Sequence, residues 1–342
     1  MKEICYIALS GGVDSAAAAV ILKERGFDVR GITLRLKPGS LADGDIADAG
    51  RVADVLGIPL TVLDLRDEFK AVTDYFCNEY LEGRTPNPCV FCNPQIKFGK
   101  MLEFALANGA QYLATGHYSE IAVDDDGLYV IRRNKTRKDQ SYFLCRLNQH
   151  ILSHTIFPLS DYSKDEVRLK AELAGLDVAG KKDSQEVCFI PDNDYISFIE
   201  REKNPDAPGG SLVGTDGTVL GKHTGLYKYT IGQRKGLGAF GKPMYVLSVN
   251  KADNTVTIGE NAELFKSSVT VGCLSFLKGA PPADKFTAQV KIRCAAQPAN
   301  ALVTINNGIA AIEFETAQRA AAPGQTAAFY DGDTLLGGSV IL

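Results

Sequence analysis

The sequence predicts an α/β fold, a doubly wound parallel sheet, followed by a mixed central region and a C-terminal β-barrel. Three observations carry this. Up to about residue 158, short apolar runs alternate with helix-forming stretches, the pattern of strands joined by crossover helices. From about 160 to 203 the pattern is helical. After NPDAPGG at 204–210, short alternating segments punctuated by turn residues take over.

In chain order, ICYIAL at 4–9 reads as a buried strand. Gly11 and Gly12 break it, and DSAAAAVILKERG is a run of helix formers that stops at Gly26. Strand-like runs follow at FDVRGITLRL, PLTVLDL and AQYLATGHY. Between them lie helix-like stretches at ADAGRVADVLG and IKFGKMLEFALANG. SDYSKDEVRLKAELAG at 160–175 has a Ser cap, early acids and a Gly stop. The segments MYVLSVNKADNTVTIG, FTAQVKIRC, ALVTINNGIAAIEFE and QTAAFYDGDTLLGGSVIL read as strands of one or two small barrels. The expected domains are 1–158, 159–264 and 265–342.

A chain of 342 residues exceeds one ordinary core, so several domains are expected. It is 45% hydrophobic and 23% charged, as soluble globular proteins are. No apolar run approaches the roughly 18 residues of a membrane span. The opening MKEICYIALSGG passes directly into a strand without the apolar segment of a signal peptide, so a cytoplasmic location and reduced cysteines are expected. The net charge of −4 argues against holding nucleic acid by bulk charge, while leaving room for a local basic groove. Four His and no Trp argue against a His-rich zinc enzyme.

ALSGGVDS at 8–15 sits where a buried strand meets a helix, the place where parallel sheets bind ligands. Gly11 and Gly12 allow close approach of backbone to a phosphate, and the N–H groups opening the helix face the anion. Ser10 and Ser15 can add hydroxyl donors, and Asp14 could hold Mg2+. The loop lacks the Lys of G-x-x-x-x-G-K-[ST] and the spacing of G-x-G-x-x-G.

Cys89 and Cys92 in TPNPCVFCN could form half of a zinc knuckle, but no second C-x-x-C exists to complete it. A redox pair would open a helix directly after a strand, whereas Pro86, Pro88 and Pro94 suggest a rigid extended loop. Cys188 stands alone in KKDSQEVCFIPDNDYISF. Cys5, Cys77, Cys145, Cys273 and Cys294 read as packing thiols.

Together, ALSGGVDS, GRTPNPCVFCN (83–93), ATGHY (114–118), KDQSYFL (138–144), FPLSDYSKDEVR (157–168), DSQEVCFI (183–190) and YTIGQRKGLG (229–238) resemble the tRNA-specific 2-thiouridylase family along almost the whole chain. The resemblance implies a sheet of the ATP pyrophosphatase (PP-loop) type. It also implies a reaction in which ATP adenylates the C2 oxygen of a wobble uridine and sulfur displaces AMP. Ala8, Leu9, Ser10, Gly11, Gly12, Val13, Asp14 and Ser15 would cradle the ATP phosphates, with Leu34 and Gly116 beside the adenosine. Cys92 would be the first active cysteine and Cys188 the persulfide carrier. Asn87, His117, Lys138, Asp139, Gln140, Arg293 and Gln325 fall where the family touches tRNA or its target base.

The chemistry agrees with elementary requirements. A uridine oxygen leaves poorly until it is part of AMP, and the sulfur nucleophile needs thiolate character. An anticodon base must be splayed out to reach such a site. RRNKTRK at 132–138 carries five basic residues in seven that can meet phosphates.

One departure matters. Many members have N-P-D-x-x-C, and this chain has Asn87-Pro88-Cys89-Val90-Phe91-Cys92. Cys89, Cys92 and Cys188 would then be three thiols at one site. Two mechanisms stay open: a persulfide on Cys188 resolved by Cys92, or a 4Fe-4S cluster held by all three. The expected partners are tRNA and a sulfur donor, either a protein (a cysteine desulfurase or persulfide carrier) or inorganic sulfide. Other readings are thiolation of a different RNA uridine, an amide-forming synthetase using the same loop on a small molecule, and a non-catalytic RNA-binding protein with a zinc-stabilised loop.

Overall fold

The computed structural model describes residues 2–37, 43–136, 138–177, 187–190 and 193–342. Strand β1 (Ile4–Ala8) leads into helix α1 (Val13–Glu24), followed by β2 (Asp28–Arg35), α2 (Asp43–Leu56), β3 (Leu60–Asp64) and α3 (Arg66–Leu81). A short helix α4 (Pro88–Cys92) runs through a wide π turn at 93–100 into α5 (Met101–Ala107). Then come β4 (Tyr112–Ala114), the hairpin β5 (Ser119–Val123) and β6 (Tyr129–Arg133), α6 (Gln149–Ser153) and β7 (Thr155–Ile156).

The sheet order is β3-β2-β1-β4-β7, every pairing parallel. Alternation along β1 sorts the two faces. Cys5 and Ile7 point into a core with the alanines of α1, with Val52 and Ala53 of α2, and with Val167 and Ala171. Tyr6 points the other way, into a core with Met101, Leu102 and Ala105 of α5. The four consecutive alanines at 16–19 let α1 lie close against the sheet, with no exposed surface left on them.

Helix α7 (Lys164–Leu173) opens with a capping box in which Ser163 and Glu166 satisfy each other's backbone N–H groups. Helix α8 (Tyr195–Lys203) begins the central region. There β8 (Gly210–Val213), β9 (Val219–His223), β10 (Tyr245–Asn250) and β11 (Thr255–Gly259) form a sheet ordered β10-β11-β8-β9.

The last strands are β12 (Phe265–Phe276), β13 (Lys285–Lys291), β14 (Ala299–Asn306), β15 (Ile309–Arg319), β16 (Thr326–Asp331) and β17 (Thr334–Ile341). They run in the order β12-β15-β14-β13-β16-β17, and β17 pairs back onto β12, closing a six-stranded barrel that leaves no free edge within the ring.

Two expectations change. Alternation of strand and helix does not run unbroken to 158: the β5–β6 hairpin leaves the parallel sheet and adds to the barrel, pairing Leu335 with Ile131. Its antiparallel ladder turns at Asp124–Gly127, where Asp124 Oδ1 accepts from the N–H groups of Asp126 and Leu128. The cysteine loop is also not extended. Pro88 fits the first turn of a helix, where its missing N–H costs nothing, and Asn87 caps that turn by accepting from Val90 N at 3.3 Å. Among the described residues, no helix is long and apolar enough to cross a membrane.

Candidate active site

The first half of the site is the loop after β1. Leu9 N donates to Ile32 O at 2.8 Å, which holds the chain in the sheet past Ala8. Gly11 then takes φ +71°, and a Cβ there would fall 2.6 Å from the Asp48 Cβ. Gly12 precedes α1 and supplies no side-chain cap, so the helix opens towards any bound anion. Ser15 Oγ donates to Gly12 O at 3.0 Å and accepts from Ser10 N at 3.2 Å, while the two serine hydroxyls lie 3.2 Å apart. The serines therefore brace the loop from within. Val13 is buried. Gly116 packs flat on the loop: a Cβ there would come within 2.9 Å of Asp14 C and Ser15 N. Leu34, half-buried, lies near the end of the neighbouring strand β2.

Asp14 is engaged from two sides. Tyr118 Oη donates to Asp14 Oδ1 at 2.6 Å, and Lys164 Nζ reaches the same oxygen at 2.7 Å. Lys164 comes from the capped start of α7, so the helix that covers one face of the sheet also delivers a cation to the loop. Sequence reasoning missed both partners, although FPLSDYSKDEVR contained Lys164. The clue was its place one residue beyond the Ser163 cap.

The second half is the cysteine group. Cys89 and Cys92 are three apart on α4, which brings them to neighbouring positions of one helical surface. Cys92 is buried and Cys89 reaches solvent. Cys188 is also exposed. It is held in place by the next residue, Phe189, whose buried ring packs edge-on against Phe69 at 5.6 Å and Phe76 at 5.3 Å. Asp183, Ser184, Gln185 and Glu186 of the same motif, and most of the loop expected to carry Cys188, lie outside the described residues.

The thiols sense one another. Burial pushes Cys92 up to about 12, Cys188 and Cys89 add to the rise, and the Lys97 ammonium opposes it. Cys89 is raised by the surrounding protein, although it touches solvent; Lys97 again opposes, and Cys188 and Cys294 both add. The sequence read Cys294 as a packing thiol. In the structure it is exposed; Cys273 is likewise exposed. Lys97, from the π turn, is a second residue that sequence reasoning passed over.

Lys97 also joins the two halves. Its charge acts on His117, which burial first and Lys97 second hold down at about 3, so the imidazole is neutral. His117 lies between the rings of Phe98 and Phe157, with Nδ1 2.7 Å from Thr115 Oγ1. It directly follows Gly116, the residue against the phosphate loop.

The remaining expected contacts are mostly bound up in the fold. Asn87 caps α4. Asp139 accepts from Asn134 N, Ser141 N and Ser141 Oγ. Gln140 Oε1 accepts from Tyr118 N at 2.9 Å, beside His117. Lys138 is exposed on the basic turn. Arg293 donates to Ile231 O at 2.9 Å and keeps a buried Nε with no partner. Gln325 Nε2 donates to Thr85 O at 3.1 Å and Pro86 O at 3.2 Å, tying the barrel to the cysteine loop.

Among the described residues, no three His, Cys, Asp or Glu side chains are gathered closely enough to hold a metal ion.

Three family models match the chain. The tRNA methyl transferase HUP domain covers residues 3–192, the tRNA methyl transferase PRC-barrel domain 196–260, and the aminomethyltransferase beta-barrel domain 266–341. Among curated proteins, the tRNA-specific 2-thiouridylase MnmA of Clostridioides difficile is 42% identical, covering 100% of this chain and 98% of that protein. Those of Acetivibrio thermocellus and Clostridium acetobutylicum are 43% and 44% identical, covering 99% and 100% of each chain. A solved U34-tRNA thiolase NcsA from Methanococcus maripaludis covers 59% of this chain at 19% identity and a TM-score of 0.36, too distant to bear on the chemistry. Full-length identity above 40% to proteins of one name decides the matter: the chain belongs to the tRNA-specific 2-thiouridylase family.

Proposed function

We propose that this enzyme thiolates a tRNA uridine, at the wobble position, replacing the C2 oxygen by sulfur at the expense of ATP. In this reading residues 1–158 form the ATP unit, 159–264 bring Cys188, and 265–342 help to grip the RNA. The observation that carries it is the continuity from Cys92 along the 93–100 turn to Phe98, whose ring lies 5.7 Å from His117, and from there through Gly116 to Asp14, which joins a thiol group to a phosphate loop.

ATP phosphates lie against Gly11, Gly12 and the opening of α1, with Lys164 beside them. The uridine C2 oxygen attacks the α-phosphorus and pyrophosphate leaves. Mg2+ carried by the phosphates, with Asp14 as its protein carboxylate, would neutralise the charge on that leaving group. Neutral His117 offers a hydrogen bond near the base without adding a second cation beside Lys97.

Cys188, on the surface, accepts a sulfane sulfur from the persulfide of a cysteine desulfurase or persulfide carrier, whose own cysteine leaves as the thiol. The Cys92 thiolate attacks the Cys188 sulfur, forming a Cys92–Cys188 bond and freeing hydrosulfide. Hydrosulfide adds at C2 and AMP departs with the oxygen. Lys97 is the group that favours the thiolate at Cys92.

The test is mass spectrometry of tRNA nucleosides from a strain lacking this gene, complemented with wild type or Cys188→Ser. Loss of 2-thiouridine, restored by wild type alone, is expected. Undiminished 2-thiouridine in the deletion strain overturns the assignment.

A further inference from the structure

A fourth thiol, Cys294, stands at the seam between the barrel and the cysteine loop. Thr85 N donates to Pro323 O at 2.7 Å, and Gln325 holds Thr85 O and Pro86 O from the same barrel end. Strand β13 ends beside it, with Lys291 in register with Ala328 of β16. Lys291 Nζ lies 5.6 Å from the centre of the Tyr142 ring, and the Tyr142 hydroxyl donates to Thr326 O at 2.9 Å. The 141–144 turn that carries Tyr142 packs against α4, and Asn93, just after that helix, donates from Nδ2 to Phe143 O at 2.8 Å. The end of β13 and the start of α4 thus meet across one tyrosine. Cys294, three residues beyond Lys291, is exposed there, as is Cys89.

The sulfur transfer proposed above leaves a Cys92–Cys188 disulfide after every turnover, with its Cys92 sulfur buried and only its Cys188 sulfur open to an external reductant. We propose that Cys89 and Cys294 are the resolving dithiol that carries this oxidation to the surface. The Cys89 thiolate attacks the Cys92 sulfur, forming a Cys89–Cys92 bond and releasing Cys188 as thiolate, which takes up a proton. The Cys294 thiolate then attacks the Cys89 sulfur and releases Cys92 in the same way. The two electrons gained by Cys92 and Cys188 come from Cys89 and Cys294, which end as a disulfide. A soluble dithiol reductant completes the cycle. Cys188 is then free to be reloaded, and Cys89 has a role in place of the acid that many family members carry there.

This inference rests on the persulfide reading, and one experiment separates their failures. The full-length protein, prepared without oxygen, is given a small-molecule cysteine persulfide, ATP, a tRNA transcript and limiting dithiol. Disulfides are mapped by mass spectrometry of unreduced peptides. Wild type should turn over repeatedly and show a Cys89–Cys294 bond. Cys294→Ser should stop after one tRNA per enzyme with Cys92 still oxidised, while Cys273→Ser, which removes an exposed thiol of β12 that has no part in the relay, keeps turning over. A wild-type protein that retains Cys92–Cys188 as its only disulfide, or a Cys294→Ser protein with unaltered turnover, overturns the proposal. If Cys188→Ser thiolates as well as wild type, the persulfide reading itself falls and takes this inference with it.

Discussion

Lys164 Nζ lies 2.7 Å from Asp14 Oδ1, an ion pair that links the start of α7 to the loop after β1. The Lys164 side chain is largely buried, so the charge acts at short range and is little screened by salt. A triphosphate settling on Gly11 and Gly12 brings negative charge to the same place. The lysine can then serve the leaving pyrophosphate as well as Asp14. Lys164→Ala should lower the rate of tRNA-stimulated pyrophosphate release by about a hundredfold, in the range seen for loss of one preorganised donor. Persulfide loading on Cys188, measured by gel shift with a thiol-reactive probe, should be unchanged. Pyrophosphate release at the wild-type rate would remove Lys164 from the phosphate site.

Cys92 offers a reactivity test. With its thiol near 12, only about one part in ten thousand is thiolate at pH 8. Alkylation of Cys92 should therefore be slow at neutral pH and climb about tenfold per pH unit through the alkaline range. Lys97→Gln removes a charge that opposes the rise, so it should slow Cys92 alkylation further and depress thiolation at fixed pH. Peptide mass spectrometry of time-resolved alkylation checks both. Equal rates for the variant and wild type would show that Lys97 does not favour the thiolate.

His117 gives a pH dependence of stability with a definite sign. Its folded-state value is about 3 against an ordinary 6.5, so the unfolded chain binds the extra proton first. The stabilisation is fully present above about 6.5 and is lost as pH falls from there towards 3. Urea unfolding between pH 7 and pH 4 should show wild type losing more stability than His117→Gln over the same interval. Parallel curves would mean that the imidazole protonates in the folded protein.

The α/β sheet, the helix cap at Ser163 and the barrel were all legible, because each rests on local pattern. Ala16 to Ala19 announce a helix against a sheet, and alternation along β13 to β17 announces strands. The cysteine loop was misread because Pro86, Pro88 and Pro94 favour extended chain when read one at a time. Asn87 and Pro88 together form a helix start, and the cap is the stronger local signal. Lys164 meets Asp14 across 150 residues of chain, a contact that no local spacing encodes. Asn87 and Asp139 also have local roles that the motifs did not announce, each accepting from backbone N–H groups of nearby residues.

Gln325 supplies a final test, of the seam itself. Its Nε2 donates at 3.1 and 3.2 Å to Thr85 O and Pro86 O, so one side chain from the barrel satisfies two carbonyls just before the capped turn of α4. Gln325→Ala leaves both carbonyls without that donor and should cost about 1–2 kcal/mol. The direct bond from Thr85 N to Pro323 O remains, so the variant should still fold. Its melting temperature should fall, and Cys89 should be alkylated faster than in wild type because its helix is less firmly held. An unchanged melting temperature together with unchanged Cys89 reactivity would show that the barrel does not fix the position of the cysteines.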